Sequence, residues 1–197
     1  MKPTLYDTIA LRCSRVVTTG YSTSFSLGIR TLALRHRPAI YAIYGFVRLA
    51  DEIVDTFFGH RQREMLDRFR SDTADAIAGG VSPNPVLHSF QWAVNTYNID
   101  REFIDAFLYS MEMDLEQKNH DAGSYSRYIY GSAEAVGLMC LRVFCHENPQ
   151  RFEMLRDPAR SLGSAFQKVN FLRDIRSDYV DRGRIYFPGV DFNSFTK

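Results

Sequence analysis

Residues 39–58, AIYAIYGFVRLADEIVDTFF, are apolar around nearly the whole helical circumference, and this constrains the fold more than any other part of the chain. A helix that is apolar on all sides must be covered on all sides by other elements. Pro38 suits the first turn of this helix, and Gly59 suits its end. We therefore predict a buried central helix that other helices surround.

Helical periodicity continues along almost the entire chain, and no hairpin signal such as Asn-Gly joins two alternating runs. Further helices are predicted at 4–18, 22–29, 61–78, 86–97, 101–118, 124–145 and 158–179, with a loop at 79–85 and coil over 184–192. Asp100 is the expected N-cap of the helix at 101–118, and Pro158 the start of the last helix. A chain of 197 residues holds one full core but not two, so we predict one all-α domain over residues 1–197.

Charge and cysteine content narrow the class of protein. A formal net charge of +1 gives no basic field for nucleic-acid binding. The N-terminus lacks a signal-peptide core, and the longest uncharged apolar stretch, 38–47, is about half a membrane span. Cys13, Cys140 and Cys145 have no paired spacing, which indicates reduced thiols in a cytoplasmic protein. No second Cys/His pair completes a metal site with Cys145 and His146.

Two carboxylates interrupt the apolar helix at 39–58. Asp51 and Asp55 are four positions apart, so both project from one face, and Tyr44 and Arg48 lie on the same stripe. Like charges at this spacing destabilise a helix, and an apolar setting adds a cost of desolvation. This arrangement indicates a function, because a solvated pair would not need an apolar helix.

The predicted helix at 158–179 repeats the arrangement. Asn170, Asp174 and Asp178 share one face, with Gln167 just before them and Arg173 beside them. Carboxylate and amide oxygens suit a hard divalent cation such as Mg²⁺. The spacing leaves two interpretations open, namely a metal site built by both helices or ion pairs with nearby arginines.

The remaining acidic clusters are assigned to solvated helix faces. Asp67, Asp72 and Asp75 lie among arginines on an amphipathic helix. The run Glu112 to Glu116 is assigned in the same way, although the sequence leaves Asp114 open. Fifteen Phe and eleven Tyr indicate either a bulky core or an aromatic-lined cavity.

Four ordered motifs resemble those of the squalene/phytoene synthase family, and of its bacterial phytoene synthases in particular. They are YSTSF (21–25), YGFVRLADEIVD (44–55), YIYGSAEAVGLM (128–139) and AFQKVNFLRDIRSDYVDRGRIYFP (165–188). The resemblance covers essentially the whole chain. It implies an all-α, class I isoprenoid-synthase helical bundle, in which two aspartate-rich helices face each other across a central apolar cavity.

The resemblance also implies roles for individual positions. Those that match the family's metal motifs are Asp51, Asp55, Asn170, Asp174 and Asp178. Those that match residues at the diphosphates are Arg48, Arg173, Tyr21, Ser24 and Phe25, the last two in a flap. Those that match the pocket lining are Tyr44, Tyr130, Val136, Gly137 and Gln167. The implied catalytic set is Asp51, Asp55, Arg48, Asp174, Asp178 and Tyr130.

The implied reaction joins two prenyl diphosphates head to head through a cyclopropyl diphosphate, with two or three Mg²⁺ ions. We expect geranylgeranyl diphosphate as substrate and phytoene as product. Alternatives are a squalene or dehydrosqualene synthase on farnesyl diphosphate, with NADPH needed for squalene, and a non-catalytic binding or assembly protein. A cyclase or elongase is disfavoured, because DEIVDTFFGH lacks the longer first motif and paired arginines.

Three departures from the family pattern qualify this picture. Tyr21 replaces a residue that is often His or another polar residue, and Ser132 and Glu134 replace small or apolar ones, so we expect a different pocket wall. Relatives continue beyond the position of Lys197, so we expect the C-terminally truncated chain to be either a fragment or a shortened protein whose pocket a partner or second copy closes. The apolar substrates make peripheral membrane contact an expectation as well.

Overall fold

A computed structural model describes residues 3–117 and 119–190, which are almost entirely helical. The helices are α1 (Leu5–Tyr21), α2 (Thr23–Thr31), α3 (Arg37–Asp55), α4 (Gln62–Gly79), α5 (Pro85–Tyr97), α6 (Arg101–Glu116), α7 (Ala122–Ile129), π1 (Tyr130–Glu134), α8 (Ala135–Phe144), α9 (Pro149–Arg176) and π2 (Ser177–Asp181). Within the described ranges, one isolated parallel bridge joins Asn119 to Ile185, and no helix has the length and apolarity to cross a membrane. The end of the coil predicted at 184–192 lies outside the described residues.

The central helix is confirmed. α3 contacts α1, α2, α4, α5, α6 and α8. Its Phe46 is fully buried and stacks on Phe90 of α5, with the two ring centroids 3.8 Å apart. Phe69 of α4 and Phe107 of α6 pack around the same ring at 5.4 and 5.5 Å. Much of the aromatic content therefore fills this core, where truncation of a buried Phe typically costs about 3–5 kcal/mol.

The prediction that the last helix begins at Pro158 is wrong. α9 begins nine residues earlier at Pro149, and Pro158 lies inside it. The start is fixed locally, because the side chain of Asn148 accepts a hydrogen bond from the backbone N–H of Arg151 and Pro149 occupies the first helical position. At the other end α9 runs into π2, which carries Asp178.

The helix predicted over 124–145 is interrupted by π1. At Gly131 an added Cβ would lie 2.3 Å from the carbonyl oxygen of Ala106 on α6. At Gly163 of α9 it would lie 2.9 Å from the carbonyl oxygen of Ala133. The backbone of π1 therefore contacts the helices on both sides, and these two glycines fix α9 relative to α6.

A second apolar cluster brings the segment after π2 back onto the bundle. It contains Met113, Tyr128, Ile129, Phe171 and Tyr186. The rings of Phe171 and Tyr186 stack with centroids 4.4 Å apart. Because Tyr186 is anchored in this way, the neighbouring Arg184 is held against the carboxylates of α3 and α6.

Candidate functional site

The first carboxylate pair lies in the last two turns of α3. Burial is the main cause that raises the pKa of Asp51 to about 7, and the neighbouring charge of Asp55 adds to it. The nearby guanidinium of Arg48 opposes this rise without cancelling it. Asp51 therefore holds a proton far more readily than an ordinary aspartate.

Asp114 of α6 belongs to the same site, and the sequence did not reveal it. Its side chain is only 4% exposed. The hydroxyls of Tyr128 and Tyr186 donate to its two oxygens at 2.8 and 2.7 Å. Burial raises its pKa to about 6 against the opposing charge of Arg184, and Asp55 adds to the rise. The sequence left the environment of Asp114 open, and the structure buries its side chain instead of placing it on a solvated helix face.

Arg184 is the cation that joins the carboxylates of α3 and α6. Its Nη1 lies 2.6 Å from Oδ1 of Asp55 and 3.8 Å from Oδ1 of Asp114, and its Nη2 donates to the carbonyl of Val54 at 3.1 Å. Burial lowers the pKa of Arg184, but Asp114 and Asp55 outweigh that effect and raise it. The guanidinium is therefore charged and firmly held.

Arg182 brings the two aspartate-rich segments together. Its Nε lies 3.7 Å from Oδ1 of Asp55, and its Nη1 lies 3.0 Å from Oδ1 of Asp178. Burial raises the pKa of Asp178, Arg182 opposes the rise, and Asp174 adds to it. Asp55 and Asp178 are thus within reach of one guanidinium, although they lie far apart in the sequence.

The remaining polar residues of the second motif lie on the outer part of α9. Arg173 donates to both oxygens of Asp174, through Nε at 2.8 Å and Nη2 at 2.6 Å. This pair is more exposed than the others, with 67% of the Arg173 side chain and 37% of the Asp174 side chain accessible. Asn170 is half-buried one turn before Asp174.

The predicted flap residues gather beside the start of this site. Phe25 of α2 stacks on Tyr44 of α3 with centroids 4.7 Å apart. The guanidinium carbon of Arg48 lies 4.3 Å from the ring centroid of Tyr21, and its Nη2 lies 2.5 Å from the Glu52 carboxylate. Ser24 is exposed in the first turn of α2.

Tyr130 contacts Glu102 and Arg160 and not the aspartates of the site. Its hydroxyl donates to Glu102 at 3.1 Å, and its ring faces Arg160 at 5.4 Å. Tyr128, two residues earlier, is the tyrosine that reaches Asp114. Glu134, one of the expected departures, forms an ion pair with Arg160 at 2.8 Å, which gives this position a structural role.

The other predicted lining residues lie where α8 meets α9. Val136, Gly137 and Gln167 are half-buried, and a Cβ on Gly137 would lie 3.5 Å from the carbonyl oxygen of Ala159. An apolar strip of α9 lies beside the face that carries Asn170, and the sequence analysis did not single it out. It consists of Leu162, Phe166 and Val169, which are 57%, 62% and 59% exposed.

The donor groups fit both a divalent cation and a diphosphate. Among the residues in 3–117 and 119–190, no three Asp, Glu, His or Cys side chains are placed to share one ion. Mg²⁺, however, is usually held by one or two carboxylates, with water and substrate phosphate completing its shell. The buried Nε groups of Arg48 and Arg182 have no hydrogen-bond partner among the described residues, and that of Arg182 lies 3.7 Å from Oδ1 of Asp55.

Sequence comparisons match the chain over most of its length. A family model described as squalene/phytoene synthase matches residues 18–196. The presqualene diphosphate synthase of Sinorhizobium fredii is 36% identical over 86% of this chain and 60% of its own length. That of Rhodopseudomonas palustris is 32% identical over 84% and 58%, and the phytoene synthase of Arthrospira platensis is 30% identical over 92% and 62%. The chain spans about three fifths of the length of these relatives.

Solved structures share the fold. A dehydrosqualene synthase crystallised with a ligand matches with a TM-score of 0.80 and 26% identity, over 92% of this chain and 62% of that one. A squalene synthase from Alicyclobacillus acidocaldarius matches with a TM-score of 0.80 and 24% identity, over 94% and 68%. The prediction of an all-α, class I isoprenoid-synthase helical bundle is confirmed.

Proposed function

The chain belongs to the squalene/phytoene synthase family, and we propose that it joins two identical prenyl diphosphates head to head. The observation that carries this proposal is the meeting of two aspartate-rich segments at one guanidinium. Arg182 contacts Asp55 of α3 and Asp178 of π2. Paired carboxylates that converge beside unpartnered arginine donors form a suitable cradle for Mg²⁺ and a diphosphate.

Each charged group has a role in this proposal. The carboxylates of Asp51, Asp55, Asp174 and Asp178, with the amide oxygen of Asn170, hold the metal. Bound Mg²⁺ supplies Lewis-acid stabilisation of the charge that develops on the leaving diphosphate. Arg48 and Arg173 bind the diphosphate oxygens through charge-assisted hydrogen bonds. Asp114 joins this set as a buried carboxylate whose tyrosine hydroxyls fix its orientation.

The hydrocarbon part of the substrate requires an apolar, water-poor surface, because an allylic cation reacts readily with water. The strip of Leu162, Phe166 and Val169 on α9 supplies apolar surface next to the face that carries Asn170. The stacked rings of Phe25 and Tyr44 lie one turn before Arg48. Each ring face stabilises a nearby cation by about 0.5–2 kcal/mol.

Two substrate classes follow from the relatives. Geranylgeranyl diphosphate with phytoene as product is our first choice, in line with the phytoene synthase of Arthrospira platensis. Farnesyl diphosphate with presqualene diphosphate as product is the second, because the relatives from Rhodopseudomonas palustris and Sinorhizobium fredii bear that name. Both share formation of a cyclopropyl diphosphate, and they differ in chain length and in what happens to that product.

The test is incubation of the 197-residue chain with each diphosphate and Mg²⁺, with and without NADPH, followed by mass spectrometry of the extracted products. Asp51→Asn and Asp174→Asn should each lower the rate by at least about a hundredfold while helicity is retained. Asp105→Asn, a change of an exposed carboxylate on α6, is the matched control.

Calorimetry with Mg²⁺ and pyrophosphate separates an enzyme from a binding or assembly protein. We expect pyrophosphate to bind only when Mg²⁺ is present and to be lost in Asp51→Asn. Absence of both a condensation product and metal-dependent pyrophosphate binding would refute the proposed function.

A further inference from the structure

A groove of about 480 Å³ opens on the surface between α6, α7, π1 and α9. Its size lies within the range of small-molecule sites. Ala106 and Ile129 supply apolar surface, and the rings of Tyr109 and Tyr125 form part of its walls. The groove therefore offers a long apolar contact surface to a ligand.

The same groove is rich in cations. Arg127, Arg160 and Lys168 line it, whereas Glu134 is the one carboxylate among its lining residues. Glu134 is already paired with Arg160 at 2.8 Å. Within the part of the chain that the structure describes, neither Arg127 nor Lys168 forms an ion pair. Neither charge is neutralised by a direct ion pair with a carboxylate of the described residues, although Arg127 lies near enough to Asp121 to lower the pKa of that carboxyl.

The cationic wall is held in place by contacts that need no ligand. Glu134 accepts a hydrogen bond from Nε of Arg160, and the Arg160 guanidinium lies 5.4 Å from the ring centroid of Tyr130. The hydroxyl of Tyr130 is in turn bonded to Glu102 at 3.1 Å. These contacts fix Arg160, Glu134 and Tyr130 in the wall, so Arg127 and Lys168 are the cations left for a ligand. The wall contains π1, and irregular helical turns of this kind are frequent at functional sites.

The groove is separate from the carboxylate site. Lys168 and Asp174 are six residues apart on α9, which places them about 120° apart around the helix. Asp51, Asp55, Asp114 and Asp178 are all absent from its lining. Its charge and its apolar surface are therefore not used by the function proposed above.

We infer that this groove binds a phosphate group attached to an apolar chain, and that it is a second ligand site on the protein. Arg127 and Lys168 bind the phosphate oxygens, and Ala106, Ile129 and the tyrosine rings contact the chain. Such a ligand has two sources, namely a free alkyl or prenyl phosphate and the headgroup of an anionic lipid. The shared chemistry is a phosphate monoester that carries a hydrocarbon.

The test uses n-hexyl phosphate and methyl phosphate with the ¹⁵N-labelled chain in EDTA, where metal-dependent binding at the carboxylates is suppressed. Hexyl phosphate should shift the backbone amides of Arg127, Ile129 and Lys168, and it should bind about tenfold or more tightly than methyl phosphate because of its additional methylenes. The variant Arg127→Ala/Lys168→Ala should weaken binding of hexyl phosphate by about tenfold or more.

The control variant is Arg12→Ala/Arg151→Ala, which removes two exposed arginines that do not line the groove. It should bind hexyl phosphate as the parent does. A second arm measures co-sedimentation with phosphatidylcholine vesicles that contain phosphatidate. If the groove variant Arg127→Ala/Lys168→Ala loses vesicle binding and the control variant does not, the site is assigned to a lipid headgroup. Loss of hexyl phosphate binding without an effect on vesicles assigns it to a free phosphate. If the groove variant matches the control in both arms, the inference is wrong.

Discussion

Replacement of Asp51 by Asn tests how the raised pKa of this carboxyl affects the free energy of unfolding. The pKa of Asp51 is about 7 in the folded protein, against an ordinary value of 3.8. The folded state therefore binds this proton more tightly than the unfolded state, so the contribution of Asp51 to stability is greatest below pH 3.8 and is lost as pH rises through 7. A difference of this size corresponds to at most about 4 kcal/mol. Because Asp51 keeps some exposed surface, solvent screening puts the expected effect near ~2 kcal/mol.

Asn has nearly the shape of the protonated acid but does not titrate. In EDTA we therefore expect Asp51→Asn to exceed the parent in free energy of unfolding by ~2 kcal/mol at pH 8, with the difference shrinking toward zero at pH 4. Urea denaturation followed by circular dichroism at several pH values measures this. Asp105→Asn, at an exposed position on α6, controls for general charge effects. If the curves of the Asp51 variant and the parent run parallel between pH 4 and 8, the described electrostatics of the site are wrong.

Two further changes test other parts of the structure. Arg184→Leu should lower the free energy of unfolding in EDTA by about 3 kcal/mol, because it leaves the buried Asp114 without its cation and Asp55 with Arg182 alone. An unchanged urea midpoint would contradict the described ion pairs. Gly131→Ala should cost about 1–3 kcal/mol, because its Cβ would lie 2.3 Å from a carbonyl oxygen of α6. Gly28→Ala is the control, because no atom lies within 4 Å of the added Cβ, and it should be neutral or slightly stabilising. Equal thermal midpoints for Gly131→Ala and Gly28→Ala would count against the close contact at π1.

The sequence predicted features that depend on the apolar pattern and the helical spacing of a single segment. The central position of α3 follows from apolar residues on every side of one segment, and the shared face of Asp51 and Asp55 follows from helical spacing alone. The resemblance to a family added the expectation that a second aspartate-rich segment faces the first. Arg182, which contacts both Asp55 and Asp178, agrees with that expectation.

Constraints that join distant parts of the chain could not be predicted in this way. Asp114 resembles its solvated neighbours in sequence, and its burial depends on contacts with Tyr128 and with Tyr186, the latter 72 residues later. Arg184 meets Asp55 across 129 residues for the same reason. The start of α9 is a different case, because Asn148 and Pro149 carry the local signals of an N-cap and a first helical proline, nine residues before the predicted start at Pro158.

The π-helical turn π1 determines how this helix responds to the deletion or insertion of one residue. The N–H of Ala135 donates to the carbonyl of Tyr130, five residues earlier, whereas an α-helix spans four. A turn of this kind accommodates one more residue than an α-helical turn over about the same rotation, so deletion of one residue would restore ordinary winding and leave Val136 and Gly137 facing the same way relative to Tyr128. This turn therefore absorbs a one-residue difference in chain length. An alignment that places a one-residue gap at 130–134 keeps the same side of α8 facing the carboxylate site.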